Sequence, residues 1–107
     1  MELNVFDFEG IPVGCTAERW DEKVTRNHPE LIGHENEVAM AIRDPALVFQ
    51  DRDYAVRRHF IRGFGESLFL DVVVEYQRLP DGLRGRLVTA FLRTRLRLGD
   101  PLIYIRP

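Results

Sequence analysis

The 107-residue chain has a single cysteine, Cys15, and no long apolar run. One cysteine excludes an internal disulfide and is typical of a reducing compartment. The apolar stretches fall well short of the roughly 18 residues that cross a bilayer. The first residues also lack the basic region and apolar core of a signal peptide. We therefore expect a cytoplasmic protein that contacts no membrane.

Lysine is missing from the second half of the chain, where every base is arginine. Residues 1–51 carry eleven acids and four bases, and residues 52–107 carry six acids and eleven bases. The second half is therefore electropositive, and arginine favours forked binding of carboxylate or phosphate. The two halves can equally neutralise each other on folding. The pI of about 5.9 argues against non-specific nucleic-acid binding.

Several motifs of known chemistry are absent. Gly63-Phe64-Gly65 lacks the third glycine and the Lys-Ser/Thr ending of a phosphate-binding loop. Neither a nucleophile-elbow serine nor a Cys–His pairing appears. His28, His34 and Glu37 have a loose spacing, unlike the i, i+4 histidine pairs of helical metalloenzymes. We therefore predict no metal and no cofactor, with this trio as the alternative.

Two short helices are predicted in the first half. Thr16 is a suitable N-cap for a helix that turns Trp20 inward and cannot continue through Pro29. A second helix, Glu35 to Arg43, has acids at its N-terminal end and a base at its C-terminal end, as the helix dipole favours. Residues 2–14, ahead of both helices, have the pattern of a small hairpin.

From Ala46 onward apolar and polar residues alternate, which indicates strands. The clearest strands are Leu68–Tyr76 and Arg86–Arg93, with the turn Pro80-Asp81-Gly82 between them. Because the helices precede the strands, we expect an α+β fold. Two N-terminal helices would pack on one face of a twisted antiparallel sheet of about four strands, with the small hairpin at the N-terminus. Residues 1–107 would form one domain.

Strand parity sorts the side chains by face, because successive residues point to opposite sides. One face is predicted to be apolar. The other, the open face, is predicted to carry Arg57, His59, Asp71, Glu75, Thr89, Arg93 and Arg95. Arg58 falls on the apolar side unless a strand end frees it. The open face could bind a phosphate, or its carboxylates could pair with the arginines at about 0.2–1 kcal/mol each. The residue types alone favour the ion pairs.

A family resemblance is carried by short segments spread along the chain. They are Trp20, Arg26–Leu31 (RNHPEL), Ala41–Val48 (AIRDPALV), Val72–Val74 (VVV) and Leu87–Phe91 (LVTAF). Together they resemble small phage and bacterial domains of the barnase–EndoU–colicin–RelE-like superfamily over about residues 16–105. The chain departs from the pattern at Lys23, near which such domains often have a histidine.

The resemblance implies one domain of this type and, for many members, metal-independent cleavage of RNA by the ribose 2′-hydroxyl. That reaction needs a base, an acid and a cationic group beside the phosphorane. Matched by position, His28 would be the acid or base, Thr89 a phosphate-binding hydroxyl, and Arg57 or Arg58 the charge stabiliser. Strand parity, independently of the resemblance, gives His59, Arg93 and Arg95 as the substrate-binding residues.

Two functions stay open at this point. The first is a toxin-like or phage-associated ribonuclease, with RNA as its substrate and an antitoxin as a further partner. The second is a non-catalytic module with the same fold that binds a protein partner through its sheet, since membership of the superfamily does not require catalysis.

Overall fold

The computed structural model describes residues 2–96 and 99–107, in which a single sheet is the main element. Its strands are β1 Leu3–Phe6, β2 Pro12–Cys15, β3 Leu47–Gln50, β4 Arg57–Phe64, β5 Leu68–Leu79, β6 Gly82–Arg93 and β7 Leu102–Ile105. They lie in the order β1-β2-β6-β5-β4-β3-β7. The β2–β6 pair is parallel and the other neighbours are antiparallel, so the sheet is mixed.

The predicted antiparallel sheet of about four strands is therefore wrong. Strands hold 46% of the residues and helices only 20%, and the small hairpin β1–β2 is part of the main sheet. It joins through two parallel pairs, Val13 with Gly85 and Gly14 with Arg86. A ladder of two residues produces no periodic signal, so alternation along the chain could not reveal this partner.

The β5–β6 hairpin confirms the predicted antiparallel pairing across the Pro80-Asp81-Gly82 turn. The register shifts between Val73 and Val74, which leaves Val88 as an extra residue in β6. Leu87 is consequently buried and Val88 is not. A β-bulge inserts one residue into one strand only. Strict alternation therefore predicts the wrong face for the part of β6 before the bulge.

The helical segments are an α-helical turn at Ala17–Arg19 that continues as a π-helix over Trp20–Thr25 (together α1), a 3-10 turn at Pro29–Leu31 and α2 at Glu35–Arg43. Thr16 caps α1 as predicted, because its Oγ1 accepts the N–H of Arg19 at 3.1 Å. Trp20 is buried, which confirms its predicted place in the core. Within the described residues, no helix has the length and apolarity that a bilayer span requires.

The hydrophobic core lies between the helices and one face of the sheet, which we call the inner face. Side chains of α1 and α2, such as Val24 and Ile42, pack there in one cluster with Phe60 of β4 and Val72 of β5. All four are fully buried. The opposite side is the open face, and it carries residues of the other parity.

The first helix also covers part of one edge of β6. Beyond the short contact with β2, the Nε–H of Arg19 donates to the carbonyl of Leu87 at 2.8 Å. One turn further on, the Thr89 hydroxyl donates to the carbonyl of Lys23 at 3.4 Å. The end of α1 is thereby held beside the second half of β6.

Candidate functional site

The residues of the open face fall into rows across three adjacent strands, and the bulge in β6 adds Arg86 to the residues predicted there. The first row is His59, Val73 and Thr89, and the second is Arg57, Glu75 and Arg86. Neighbouring strands are roughly 4.8 Å apart, so two strands separate groups in a row by roughly 10 Å. Thr89 and His59 therefore share a face without direct contact.

His59 lies at the centre of a buried charge network. Its Nδ1 is 2.9 Å from Oδ1 of Asp71, and its Nε2 is 2.8 Å from Oδ2 of Asp51. Asp71 is completely buried and also accepts a hydrogen bond from Arg93 at 2.9 Å. Both ring nitrogens face carboxylates, so the ring donates both bonds only as an imidazolium. We call Asp51, His59, Asp71 and Arg93 the central network.

The network shifts the titration of its own members. Burial lowers the pKa of His59, but hydrogen bonds and charges from Asp71 and Asp51 outweigh it and raise that pKa above the usual 6.5. Burial works against ionisation of Asp51, yet hydrogen bonds from His59 and from the N–H groups of Asp53 and Tyr54 bring its pKa to about 2. His59, predicted to bind substrate, is 5% exposed and has both nitrogens engaged. It stabilises the face and has no nitrogen left for a ligand.

Glu75 lies between two arginines in the second row. The Nε–H of Arg57 donates to Oε1 at 3.0 Å, and Arg86 donates to Oε2 at 2.9 Å. These contacts, that of Arg57 foremost, lower the pKa of Glu75. The Arg57 guanidinium also lies over the ring of Tyr54, 4.2 Å from its centroid. The ion pairs that the residue types favoured are thus formed, and Arg57 shares its charge with a carboxylate.

Arg58 and Arg95, the other predicted arginines, lie apart from Thr89. Arg58 is on the inner-face side at the start of β4, where it pairs with Glu9 at 2.5 Å and lies 5.3 Å from the centroid of the Tyr76 ring. The strand end frees its charge, as the parity argument required. Arg95 is exposed and follows the end of β6 by two residues. The structure does not bring Arg58 to the face that carries Thr89.

His28 reaches the free edge of β6 from the chain that follows α1. Its ring lies 5.7 Å from the ring of Phe91, centroid to centroid, and the Arg93 guanidinium is 5.5 Å from the same ring centroid. Its Nδ1 is 3.5 Å from Oε1 of Glu30, and its side chain is 31% exposed. Among the described residues, no group bonds its Nε2. We call His28, Thr89, Phe91 and Arg93 the edge cluster.

Phe91 is the member of this cluster that the sequence did not single out as functional. It lies two residues beyond Thr89 and two residues before Arg93, which forms the strand's last pair, so strand parity places it on the same face as both. An aromatic residue in a strand is ordinarily assigned to packing. Only the contact with the His28 ring, across a separation of 63 residues, makes it part of a site.

The alternative metal trio is not assembled. His34 Nδ1 is 3.4 Å from Oε2 of Glu37, and its ring lies 5.0 Å from that of Phe64. His28 instead contacts Phe91. In residues 2–96 and 99–107, no three His, Cys, Asp or Glu side chains come close enough to hold a metal ion.

A cleft of about 850 Å³ lies where β2 meets β6, and the sequence contained no signal for it. The residues that line it include Asn4, Phe6, Arg19, Glu75, Arg84 and Arg86. Gly85 is required at the junction, because a Cβ there would lie 2.9 Å from side-chain atoms of both Val13 and Val74. Cys15 also lines the cleft, but burial raises the pKa of its thiol, which is therefore not an activated nucleophile.

One line of side chains connects the cleft with the edge cluster. On the open face of β6 these are Arg84, Arg86, Thr89, Phe91 and Arg93. At roughly 3.3 Å per residue the line extends for roughly 30 Å. We call it the β6 stripe.

Comparison of the chain with protein-family models, curated proteins and solved structures found no match. The function must therefore be inferred from the chemistry of the open face.

Proposed function

We propose that the chain is a metal-independent endoribonuclease that binds single-stranded RNA along the β6 stripe and cleaves it at the edge cluster. The observation that carries the proposal is the contact of a half-exposed histidine ring with Phe91, beside a hydroxyl and an arginine. These four groups supply proton transfer, stacking, hydrogen bonding and positive charge. The resemblance to the barnase–EndoU–colicin–RelE-like superfamily supports the same reaction.

His28 has the geometry of a proton carrier. The Glu30 carboxylate, 3.5 Å from Nδ1, favours the tautomer that is protonated there. Nε2 then has a free lone pair that accepts the proton of the ribose 2′-hydroxyl. The resulting oxyanion attacks phosphorus, the bond to the 5′-oxygen breaks, a water molecule donates a proton to that oxygen, and the His28 imidazolium returns its proton to the hydroxide so formed. The products are a 2′,3′-cyclic phosphate and a 5′-hydroxyl.

The neighbouring groups would stabilise charge on the phosphate. The Thr89 hydroxyl makes only a long bond, 3.4 Å, to the carbonyl of Lys23, and can exchange it for a phosphate oxygen. Arg93 contributes positive charge at the same end of β6 while Asp71 holds its guanidinium. A base can stack on Phe91, which is worth about 1–3 kcal/mol in single-strand binding.

The charge of the open face also suits a polyanion. In the β6 stripe and the groups paired with it, five cations face three carboxylates. The cations are Arg57, His59, Arg84, Arg86 and Arg93, and the carboxylates are Asp51, Asp71 and Glu75. The open face thus has an excess of positive charge although the chain as a whole has a net charge of −2. A polyanion is therefore attracted to this face more than to the rest of the surface.

Incubation of the purified chain with a mixed RNA pool in EDTA tests the proposal. We expect cleavage that leaves 2′,3′-cyclic phosphate ends. His28→Ala and Thr89→Val should reduce the rate, the first by about 10²–10⁴-fold because a positioned acid or base contributes that much. His34→Ala is the matched control and should cleave at the wild-type rate. Loss of cleavage in EDTA that a divalent ion restores would refute the metal-independent mechanism.

A second candidate, a non-catalytic protein-interaction module, is favoured by β7. This strand is at one end of the sheet, and its Leu102, Ile103 and Ile105 are 44%, 44% and 61% exposed. An apolar edge strand can accept a strand from a partner protein. If the folded chain leaves every RNA in the pool intact, this candidate becomes the better one.

A further inference from the structure

The cleft at the β2–β6 junction includes a position without a side chain. Gly14 lies there, and a Cβ on it would make only ordinary contacts, 3.6 Å to Oδ1 of Asn4 and 3.8 Å to the carbonyl of Leu3. The volume of about 850 Å³ lies within the roughly 300–1,000 Å³ of small-molecule sites. A ligand considerably larger than a phosphate ion can therefore enter.

Three arginines line this cleft, and each keeps N–H donors that no hydrogen bond within the described residues uses. Arg19 uses its Nε–H on the carbonyl of Leu87, which orients the guanidinium and leaves its terminal nitrogens available. Arg84 has no ion pair among the residues that the structure describes. Arg86 is held by Glu75, whose charge Arg57 also neutralises. The guanidinium groups of Arg19 and Arg86, fixed in this way, suit the oxygens of a phosphate, and the exposed Arg84 adds a third positive charge.

The same cleft also has apolar residues at both of its margins, Phe6 on β1 and Val56 just before β4. Phe6 is 63% exposed and Val56 is 51% exposed, and both line the cleft. An exposed aromatic ring near fixed arginines is the combination that binds a nucleobase and its phosphate together. Gln77 adds an amide group that can hydrogen-bond the edge of a base, and Asn4, whose Nδ2–H donates to Oε1 of Glu2 at 3.4 Å, adds its Oδ1 as an acceptor.

We propose that this cleft is a nucleotide-binding subsite, with a base against Phe6 and a phosphate on Arg19, Arg84 and Arg86. Its place at the start of the β6 stripe means that it holds the strand away from the cleavage point. That part of the inference rests on the proposed function, whereas nucleotide binding itself does not. Arg86 and Thr89 are three residues apart, roughly 10 Å along the strand, so both ends can engage one oligonucleotide.

Binding of a single-stranded DNA oligonucleotide to the full chain tests the subsite, because DNA lacks the 2′-hydroxyl and is not cleaved. Arg84→Gln should weaken binding and reduce the slope of log K against log salt by about 0.7, the value for one phosphate contact on a single strand. Gly14→Val should weaken binding at least tenfold because its side chain would occupy part of the cleft.

Two control variants separate this effect from general changes in charge or folding. Arg78 is exposed on the same β5–β6 hairpin, but it pairs with Leu83 on the other face and does not line the cleft. Gly63 is a second strand glycine outside the cleft, with no atom within 4 Å of an added Cβ. Arg78→Gln and Gly63→Val should both bind DNA like the wild type. Equal losses in a variant and its control would refute the subsite.

Further binding experiments show whether the cleft takes a nucleic-acid strand, a free nucleotide or inorganic phosphate. They also separate this inference from the proposed function. If a 5′-mononucleotide binds as tightly as the oligonucleotide, the site takes free nucleotides. If inorganic phosphate competes equally well, the base pocket at Phe6 is refuted. DNA binding that depends on Arg84 in a chain that cleaves no RNA would refute only the ribonuclease. RNA cleavage with an unchanged KM in Arg84→Gln and Gly14→Val would refute only the subsite.

Discussion

The central network and the edge cluster each place a histidine beside carboxylate and arginine groups, yet the two histidines differ in what they offer. His59 is buried and both of its nitrogens are bonded to aspartates. His28 is half-buried, with one nitrogen near Glu30 and the other facing no partner in the described chain. Arg93 belongs to both groups, since it pairs with Asp71 and lies over Phe91. Burial and the number of bonds distinguish a stabilising histidine from one that can transfer a proton.

The largest difference is expected in stability. His59→Ala removes the cation that lies between two buried carboxylates and should reduce the free energy of unfolding by on the order of 3–5 kcal/mol. His28→Ala removes a partly exposed ring and should change it by less than about 0.5 kcal/mol. Urea denaturation of both variants measures the contrast. Similar midpoints for the two variants would mean that the central network contributes no more than the edge.

The pH dependence of stability should carry the signature of the central network. The pKa of Asp51 falls from 3.8 to about 2 on folding, so its contribution is present above pH 3.8 and is lost as pH drops toward 2. Two pH units correspond to about 2–3 kcal/mol. The pKa of His59 is raised above 6.5, so its contribution is present below pH 6.5 and is lost as pH rises through the folded value. Denaturation midpoints should therefore be highest between these limits, and His59→Ala should abolish the alkaline decline.

A smaller effect is expected from the aromatic ring of the edge cluster. Phe91→Leu should weaken binding of single-stranded DNA by about 1–3 kcal/mol, the worth of one stacked base. Phe91→Trp retains a ring and should bind at least as tightly as the wild type. Fluorescence titration at fixed salt measures both affinities. If the leucine variant binds like the wild type, the nucleic acid does not pass over the edge cluster.

The smallest effect concerns Glu75, which occupies the donors of two arginines. Glu75→Gln should reduce the free energy of unfolding by only about 0.2–1 kcal/mol, as for other partly exposed pairs. Because Arg57 and Arg86 then lose their counter-charge, DNA should bind more tightly and with a steeper salt dependence. Tighter binding by Glu75→Gln alongside weaker binding by Arg84→Gln would show that positive charge on the open face attracts the nucleic acid. Weaker binding by Glu75→Gln would contradict the idea that Arg57 and Arg86 attract the nucleic acid.

The parts of the fold that could be predicted are those formed by residues that are close to one another in the sequence. The span of α2, the Thr16 cap and the β5–β6 hairpin follow from local spacing, capping and a turn, and the structure has all of them. The sheet as a whole was predicted wrongly. Its parallel junction is two residue pairs between segments more than 70 positions apart, and the bulge at Val88 is a single extra residue. Neither leaves a repeating pattern in the chain.

By itself, the sequence determined which residues share the open face in β4 and β5, because alternation in a strand decides the side on which each side chain lies. It also determined the charge available there. Only the tertiary structure decided how those groups are used. Burial between Asp51 and Asp71 occupies His59, and the path of α1 along β6 brings His28 to Phe91. The junction of β2 with β6 forms the cleft. Each outcome depends on how separate strands, turns and helices pack against one another, which composition and periodicity do not encode.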